Sequence, residues 1–130
     1  MKPKVLLFVD DDCHMAWAFG SDLLSKAQDA GLQLRIFTDA DKALEFITKD
    51  NSVSISCAIV DLWMQNKATG EENPNKGNEI IDALKRLNPV PKIAVLSAHI
   101  DENAKARFEQ SKIVCFRKPA MSSEVVKPLV

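Results

Sequence analysis

Residues 5–12 read VLLFVDDD, five apolar residues in a row closed by Asp10, Asp11 and Asp12. An uninterrupted Val/Leu/Phe run of this length, bounded by Pro3 and Asp10, fits a strand covered on both faces, as strands inside a parallel sheet are. Behind it, Trp17, Ala18, Leu23, Leu24 and Ala27 fall mostly at helical spacing over 14–30, and Gly31 supplies a stop. The unit recurs. Residues 32–37 precede a helix capped by Thr38 or Asp39 and carrying Ala43, Leu44, Phe46 and Ile47. Residues 56–60 precede a helix over 78–87 with Ile80, Ile81, Leu84 and Leu87 on one face, and residues 93–96 precede one that Asp101 can cap, reaching Gln110. A short run at 113–116 is followed by a last helix opening at Ser122 or Ser123 and cut by Pro128. Strands alternating with crossover helices predict an α/β protein, a parallel sheet between two helical layers.

With 130 residues the chain has room for one core, so a single domain is expected over 1–130. Apolar residues at 46% and charged residues at 27% describe a folded globular chain and exclude the composition of disorder. Seventeen Lys+Arg balance eighteen Asp+Glu, which leaves no basic field to draw nucleic acid or an anionic membrane. The longest apolar runs fall far short of the ~20 residues that span a bilayer. The run behind Lys2 and Lys4 ends in three aspartates, too early for a signal-peptide core, so a cytoplasmic location is expected. Cys13, Cys57 and Cys115 are odd in number and lack CxxC spacing, which reads as reduced thiols, mostly buried. The polar stretch 62–77 is long for a βα loop, where ~2–6 residues are usual, and reads either as a surface insertion or as a lid or recognition loop.

In an open parallel sheet the ligand site lies outside the carboxyl ends of the strands. Those ends carry Asp10, Asp11 and Asp12, then Asp61, then Ser97, then Arg117 and Lys118. Singly, each is as readily a helix cap or a solvated charge. Together, carboxylates gathered at one edge repel one another unless a cation neutralises them. Mg2+, or Mn2+, takes oxygen ligands from one or two carboxylates plus phosphate oxygens, which points to phosphoryl-transfer chemistry.

Four segments, in order, resemble the receiver domains of two-component response regulators over essentially the whole chain. VLLFVDDD is similar to the opening strand and acidic pair, IVDLWM to the segment around the phosphorylated aspartate, VLSA to the hydroxyl strand and FRKPA to the lysine-proline turn. The resemblance implies a flavodoxin-like fold: a three-layer α/β/α sandwich with a doubly wound (βα)5 parallel sheet in strand order 2-1-3-4-5. It implies that Asp61 accepts a phosphoryl group from a histidine kinase or histidine phosphotransfer protein. Asp10, Asp11, Asp61 and the backbone carbonyl of Trp63 would hold Mg2+, with Asp12 as a variable third acid. Ser97 and Lys118 would bind the phosphoryl oxygens, Ala98 would leave them accessible, and the Lys118–Pro119 bond would be cis. Such a chain is a phosphoacceptor rather than a turnover enzyme. It works through a C-terminal output domain or a downstream protein, or as a phosphorylation-dependent homodimer, with no direct contact to nucleic acid or membrane.

The sequence departs from that pattern in three places. Met64 is followed by Gln65 rather than Pro, Cys115 stands where the family tends to place a switching aromatic ring, and residues 121–130 are short for a last helix. Output is therefore expected to run through the helix-four region or the long loop, either from a stand-alone receiver or from the first part of a longer regulator. Trp63 and His99, each two residues beyond a site residue, flank the approach of a hydrolytic water, and bulky Trp63 predicts slow self-dephosphorylation. Two other readings exist. One is a receiver-like binding module that is never phosphorylated, against which the intact set Asp10, Asp11, Asp61, Ser97 and Lys118 argues. The other is a haloacid-dehalogenase-type phosphatase with Asp10 as nucleophile and Asp12 as acid, whose opening motif DDDCH fails to match at His14.

Overall fold

The computed structural model describes residues 2–49, 52–65, 69–98, 100–118, 120 and 122–129, and for Cys13, Met15, Glu72, Asn73 and Ser122 the backbone alone. The chain runs β1 (Lys4–Val9), α1 (Cys13–Asp29), β2 (Gln33–Phe37), α2 (Ala40–Lys49), β3 (Ser54–Asp61), β4 (Met64–Gln65), β5 (Glu72–Asn73), α3 (Asn75–Lys85), β6 (Lys92–Ser97), α4 (Glu102–Gln110), β7 (Val114–Arg117) and α5 (Ser122–Val126). Five of the strands form one parallel sheet in the order β2-β1-β3-β6-β7. Setting aside the two short strands β4 and β5, this is the expected order 2-1-3-4-5.

Alternate residues along the strands feed two cores. Leu6 and Phe8 of β1, Cys57 and Ile59 of β3, and Ala94 and Leu96 of β6 pack with Ala16, Leu23 and Ala27 of α1 and with Val125 and Val126 of α5. Leu7, Val9, Ala58, Val60, Ile93 and Val95 face the other way, onto Ala43 and Ile47 of α2 and Ile80, Ile81 and Leu84 of α3. Burial on both faces is why these strands read as unbroken apolar runs. Each helix carries one apolar stripe, and the stripe of α1 differs from its reading in the sequence. Ala16, Leu23 and Ala27 lie inward, whereas Trp17 is 78% exposed and Leu24 is 46% exposed. Each stands one residue, about 100° of helix, beyond the buried row.

The capping expectations resolve clearly. Asp39 closes the start of α2, its Oδ1 accepting from the Asp41 and Lys42 amides at 2.9 and 3.3 Å. Asp101 caps α4 by accepting from the Ala104 amide at 2.6 Å. The long loop is partly ordered by its own backbone: Met64 pairs with Asn73 and Gln65 with Glu72 in a small antiparallel ladder. The Gln65 Nε2 donates to the Gly70 carbonyl at 3.0 Å, and Gly70 takes the left-handed conformation, φ 73°, that a tight return needs. Met64, where the family pattern would be followed by Pro, is buried in the α2/α3 core.

Candidate functional site

Strand register assembles the site. Val9 lies beside Val60, Asp61 beside Leu96, and Ser97 beside Arg117, so the strands end level and their terminal polar residues meet at one edge. The amide of Asp10 donates to the Phe37 carbonyl at 3.0 Å and that of Leu62 to the Leu96 carbonyl at 3.0 Å. The Lys118 amide donates to the Ser97 carbonyl at 2.9 Å. These bonds carry the pairing one residue past the strands and hold the site residues on the rigid sheet rather than on free loop.

Asp10, Asp61 and Ser97 are buried polar residues at this edge, with 1%, 5% and 0% of their surface exposed. The Lys118 ammonium donates to Asp10 Oδ2 at 2.9 Å and to Asp61 Oδ2 at 3.2 Å, bridging two carboxylates more than fifty residues apart in sequence. Carboxylate oxygens of Asp10, Asp11 and Asp61 lie within 4.8 Å of one another. Asp11 is half-buried, and its Oδ2 accepts from the Gln65 amide at 2.6 Å, which ties the β4–β5 hairpin to the acidic cluster. A carboxylate has two oxygens, so this bond leaves its Oδ1 for another ligand. Asp12 turns elsewhere: it is exposed, and its Oδ1 accepts from the His14 amide at 3.0 Å, capping the start of α1.

Burial, and then the neighbouring charge of Asp10, push the Asp61 carboxyl up to about 8, with Lys118 working in the opposite direction. For Lys118, burial favours the neutral amine. The hydrogen bond to Asp10 and the charges of Asp61 and Asp10 outweigh burial and leave its pKa raised, so it stays an ammonium. One cation against three clustered acids leaves net negative charge in a largely buried cluster. The donor set is all oxygen, which suits a hard divalent ion such as Mg2+ and not a soft one.

The structure brings Asp10, Asp11, Asp61, Ser97 and Lys118 together as the sequence reading required. Trp63 lies half-buried against the α2/α3 core, two residues past Asp61. Both the Lys118–Pro119 bond and His99 lie outside the described residues; the cis peptide bond found among the described residues is Asn88–Pro89. Cys115, at the expected ring position, is half-buried against the same core as Trp63, and burial lifts its thiol to about 11, as it does that of Cys57. Both thiols are free.

The sequence reading missed Gly77. It stands in the first turn of α3, where a Cβ would fall on the Leu62 carbonyl oxygen and within 2.8 Å of the Leu62 carbonyl carbon and Cα. Only glycine lets α3 approach the backbone directly after Asp61. A lone glycine just ahead of a helical pattern was the available signal, and it reads equally well as a loop ending.

No protein-family model matches the chain, and no curated protein matches its sequence. Solved structures do. A CheY-like response regulator receiver domain protein from Methanospirillum hungatei is 18% identical, with TM-score 0.67 over 98% of this chain and 90% of that one. A response regulator protein from Burkholderia pseudomallei, solved with a phosphorylated aspartic acid, calcium ion and citrate, is 19% identical, with TM-score 0.67 over 99% of this chain and 67% of that one. A Rhodopirellula baltica structure described as an adenylate cyclase is 19% identical, with TM-score 0.71 over 99% of this chain and 85% of that one. Strand order, the two-sided helical cover and near-complete alignment agree: the chain has the fold of response-regulator receiver domains.

Proposed function

We propose that this chain is a phosphoacceptor receiver, with Asp61 as the residue that takes the phosphoryl group from the phosphohistidine of a kinase or phosphotransfer protein. The observation that carries the reading is the buried meeting of Asp61 with Asp10, Asp11 and Lys118 at the carboxyl edge of the sheet. The Burkholderia pseudomallei neighbour, with its phosphorylated aspartic acid and calcium ion, lends support at the level of a shared fold.

In the transfer an Asp61 carboxylate oxygen forms the bond to phosphorus while the P–N bond of the donor breaks, its electron pair remaining on the imidazole nitrogen. Asp10, Asp11 and Asp61, with the Trp63 carbonyl, would hold Mg2+, which supplies charge neutralisation for the phosphoryl oxygens. Cation binding among these acids also favours the ionised, nucleophilic form of Asp61. Asp11, fastened to the Gln65 amide, presents its carboxylate from a fixed direction. Lys118 needs little movement to exchange a carboxylate partner for a phosphoryl oxygen, since a lysine acts as a mobile point charge. Ser97 would donate a hydroxyl hydrogen bond to the same group, and exposed Ala98 leaves it open to a partner. The chain is then a stoichiometric acceptor, reset by hydrolysis, that signals to an attached or separate output.

The test is intact mass after incubation with a small phosphodonor, with and without Mg2+, for wild type, Asp61→Asn and Asp10→Asn. A Mg2+-dependent phosphoryl adduct absent from Asp61→Asn is expected. A folded wild type that never gains an adduct would sink the proposal and favour the non-phosphorylated binding module.

A further inference from the structure

Beside the acidic pocket a cavity of about 450 Å3 opens between the chain that follows β3 and the facing side of α4. That volume falls within the ~300–1,000 Å3 usual for small-molecule sites. Trp63 and Phe108 give it aromatic walls, Asn78 a polar edge, and Arg107 of α4 and Arg117 at the end of β7 both line the same space. Among the described residues, neither arginine has a carboxylate within ion-pair distance. Asp101, the acidic residue in the lining, gives one carboxylate oxygen to the Ala104 amide as the cap of α4, and the two arginines outnumber its single charge.

Two like charges on one cavity repel, and an anion placed between them removes the repulsion while offering both forks bidentate acceptors. The walls select what carries that anion. A flat ring can stack on indole and phenyl faces, whereas a small inorganic anion would leave them wet. We propose that this cavity binds a planar aromatic anion, with its ring against Trp63 and Phe108 and its carboxylate or phosphate on Arg107 and Arg117. Binding does not depend on phosphoryl chemistry at Asp61. Leu62 and Trp63 nevertheless follow Asp61 directly, so an occupant touches the backbone on which that residue sits.

The experiment uses the whole chain with Trp17→Phe, an exposed position, so that Trp63 is the remaining tryptophan of two. With EDTA present, Trp63 emission is titrated with adenosine 5′-monophosphate and, separately, with 4-hydroxybenzoate. Adenosine and inorganic phosphate serve as half-ligands. Saturable quenching by at least one aromatic anion is expected, with Kd below about 1 mM. The half-ligands, Arg107→Gln and Arg117→Gln should each bind at least about tenfold more weakly, as loss of a charged hydrogen bond requires. Success with one anion alone identifies the site as nucleotide-type or aryl-carboxylate-type. No saturable change with either anion, quenching that survives the double arginine variant, or a half-ligand binding as tightly as the whole overturns the proposal.

Discussion

Replacing Gly77 by alanine sets two opposing effects against each other. Alanine favours a helix over glycine by up to ~1 kcal/mol, and less in a first turn, where the amide has no intrahelical partner. Against this, the new methyl would fall on the Leu62 carbonyl oxygen and lie 2.8 Å from the Leu62 carbonyl carbon and Cα. These are backbone atoms, pinned by the Leu62 amide bond to the Leu96 carbonyl at 3.0 Å, so no side chain can swing aside. Restoring ordinary contact at 3.4 Å requires helix and strand end to part by roughly 0.6 Å, more at the oxygen. Overpacking of this kind costs ~1–3 kcal/mol, so the steric effect wins and Gly77→Ala loses about 1–2 kcal/mol net. For a chain of this size that is a fall in Tm of about 3–8 °C. Because Leu62 adjoins Asp61, phosphoryl uptake should slow as well.

Gly20→Ala provides the contrast. Its Cβ would meet Ile36 Cδ1 at 2.6 Å, the free end of a half-exposed side chain that can rotate away, so little loss of stability is expected. Thermal unfolding of both variants, read by circular dichroism, decides the matter. If Gly77→Ala melts at or above the wild-type temperature, the claim that glycine is required for the α3 approach is wrong.

Three further outcomes are expected. Lys118→Gln leaves Asp10 and Asp61 without the ammonium that bridges them at 2.9 and 3.2 Å, and losing one partner of a buried pair costs ~3–5 kcal/mol, so chemical denaturation should show a loss of that order at pH 8 and phosphorylation should fall below detection. An Asp61 carboxyl raised to about 8 holds in the native state a proton that the unfolded chain releases near pH 4. Metal-free stability should therefore fall as pH rises between those values, while Lys118, its pKa raised further above neutrality, contributes evenly throughout that window. A Tm-against-pH series in EDTA should slope downward for wild type and flatten for Asp61→Asn; an equal slope in both would refute the assignment to Asp61. Finally, Trp63→Asn should lose its phosphoryl group roughly tenfold faster after donor removal, about 1.4 kcal/mol off the hydrolysis barrier; an unchanged decay would mean that the indole does not hinder the water.

The sequence alone determined the architecture and named most of the residues of the candidate site. Runs such as 5–9 and 93–96 must be buried on both faces, and such strands occur between two helical layers, so period and apolar content sufficed. Because ligands gather at the carboxyl ends of such strands, Asp10, Asp61, Ser97 and Lys118 were legible as the residues that close them. Tertiary structure decided what depends on distance between segments remote in the chain. No local pattern reveals that Lys118 bridges Asp10 and Asp61, that Asp12 instead caps α1, or that the Gln65 amide fixes Asp11. The side of α1 that meets the sheet was ambiguous because Trp17 and Leu24 are as apolar as their buried neighbours Ala16 and Leu23. Gly77 went unread for a related reason: its necessity comes from the Leu62 backbone fifteen residues earlier, and a missing side chain shows its purpose only beside the atoms that would have met it.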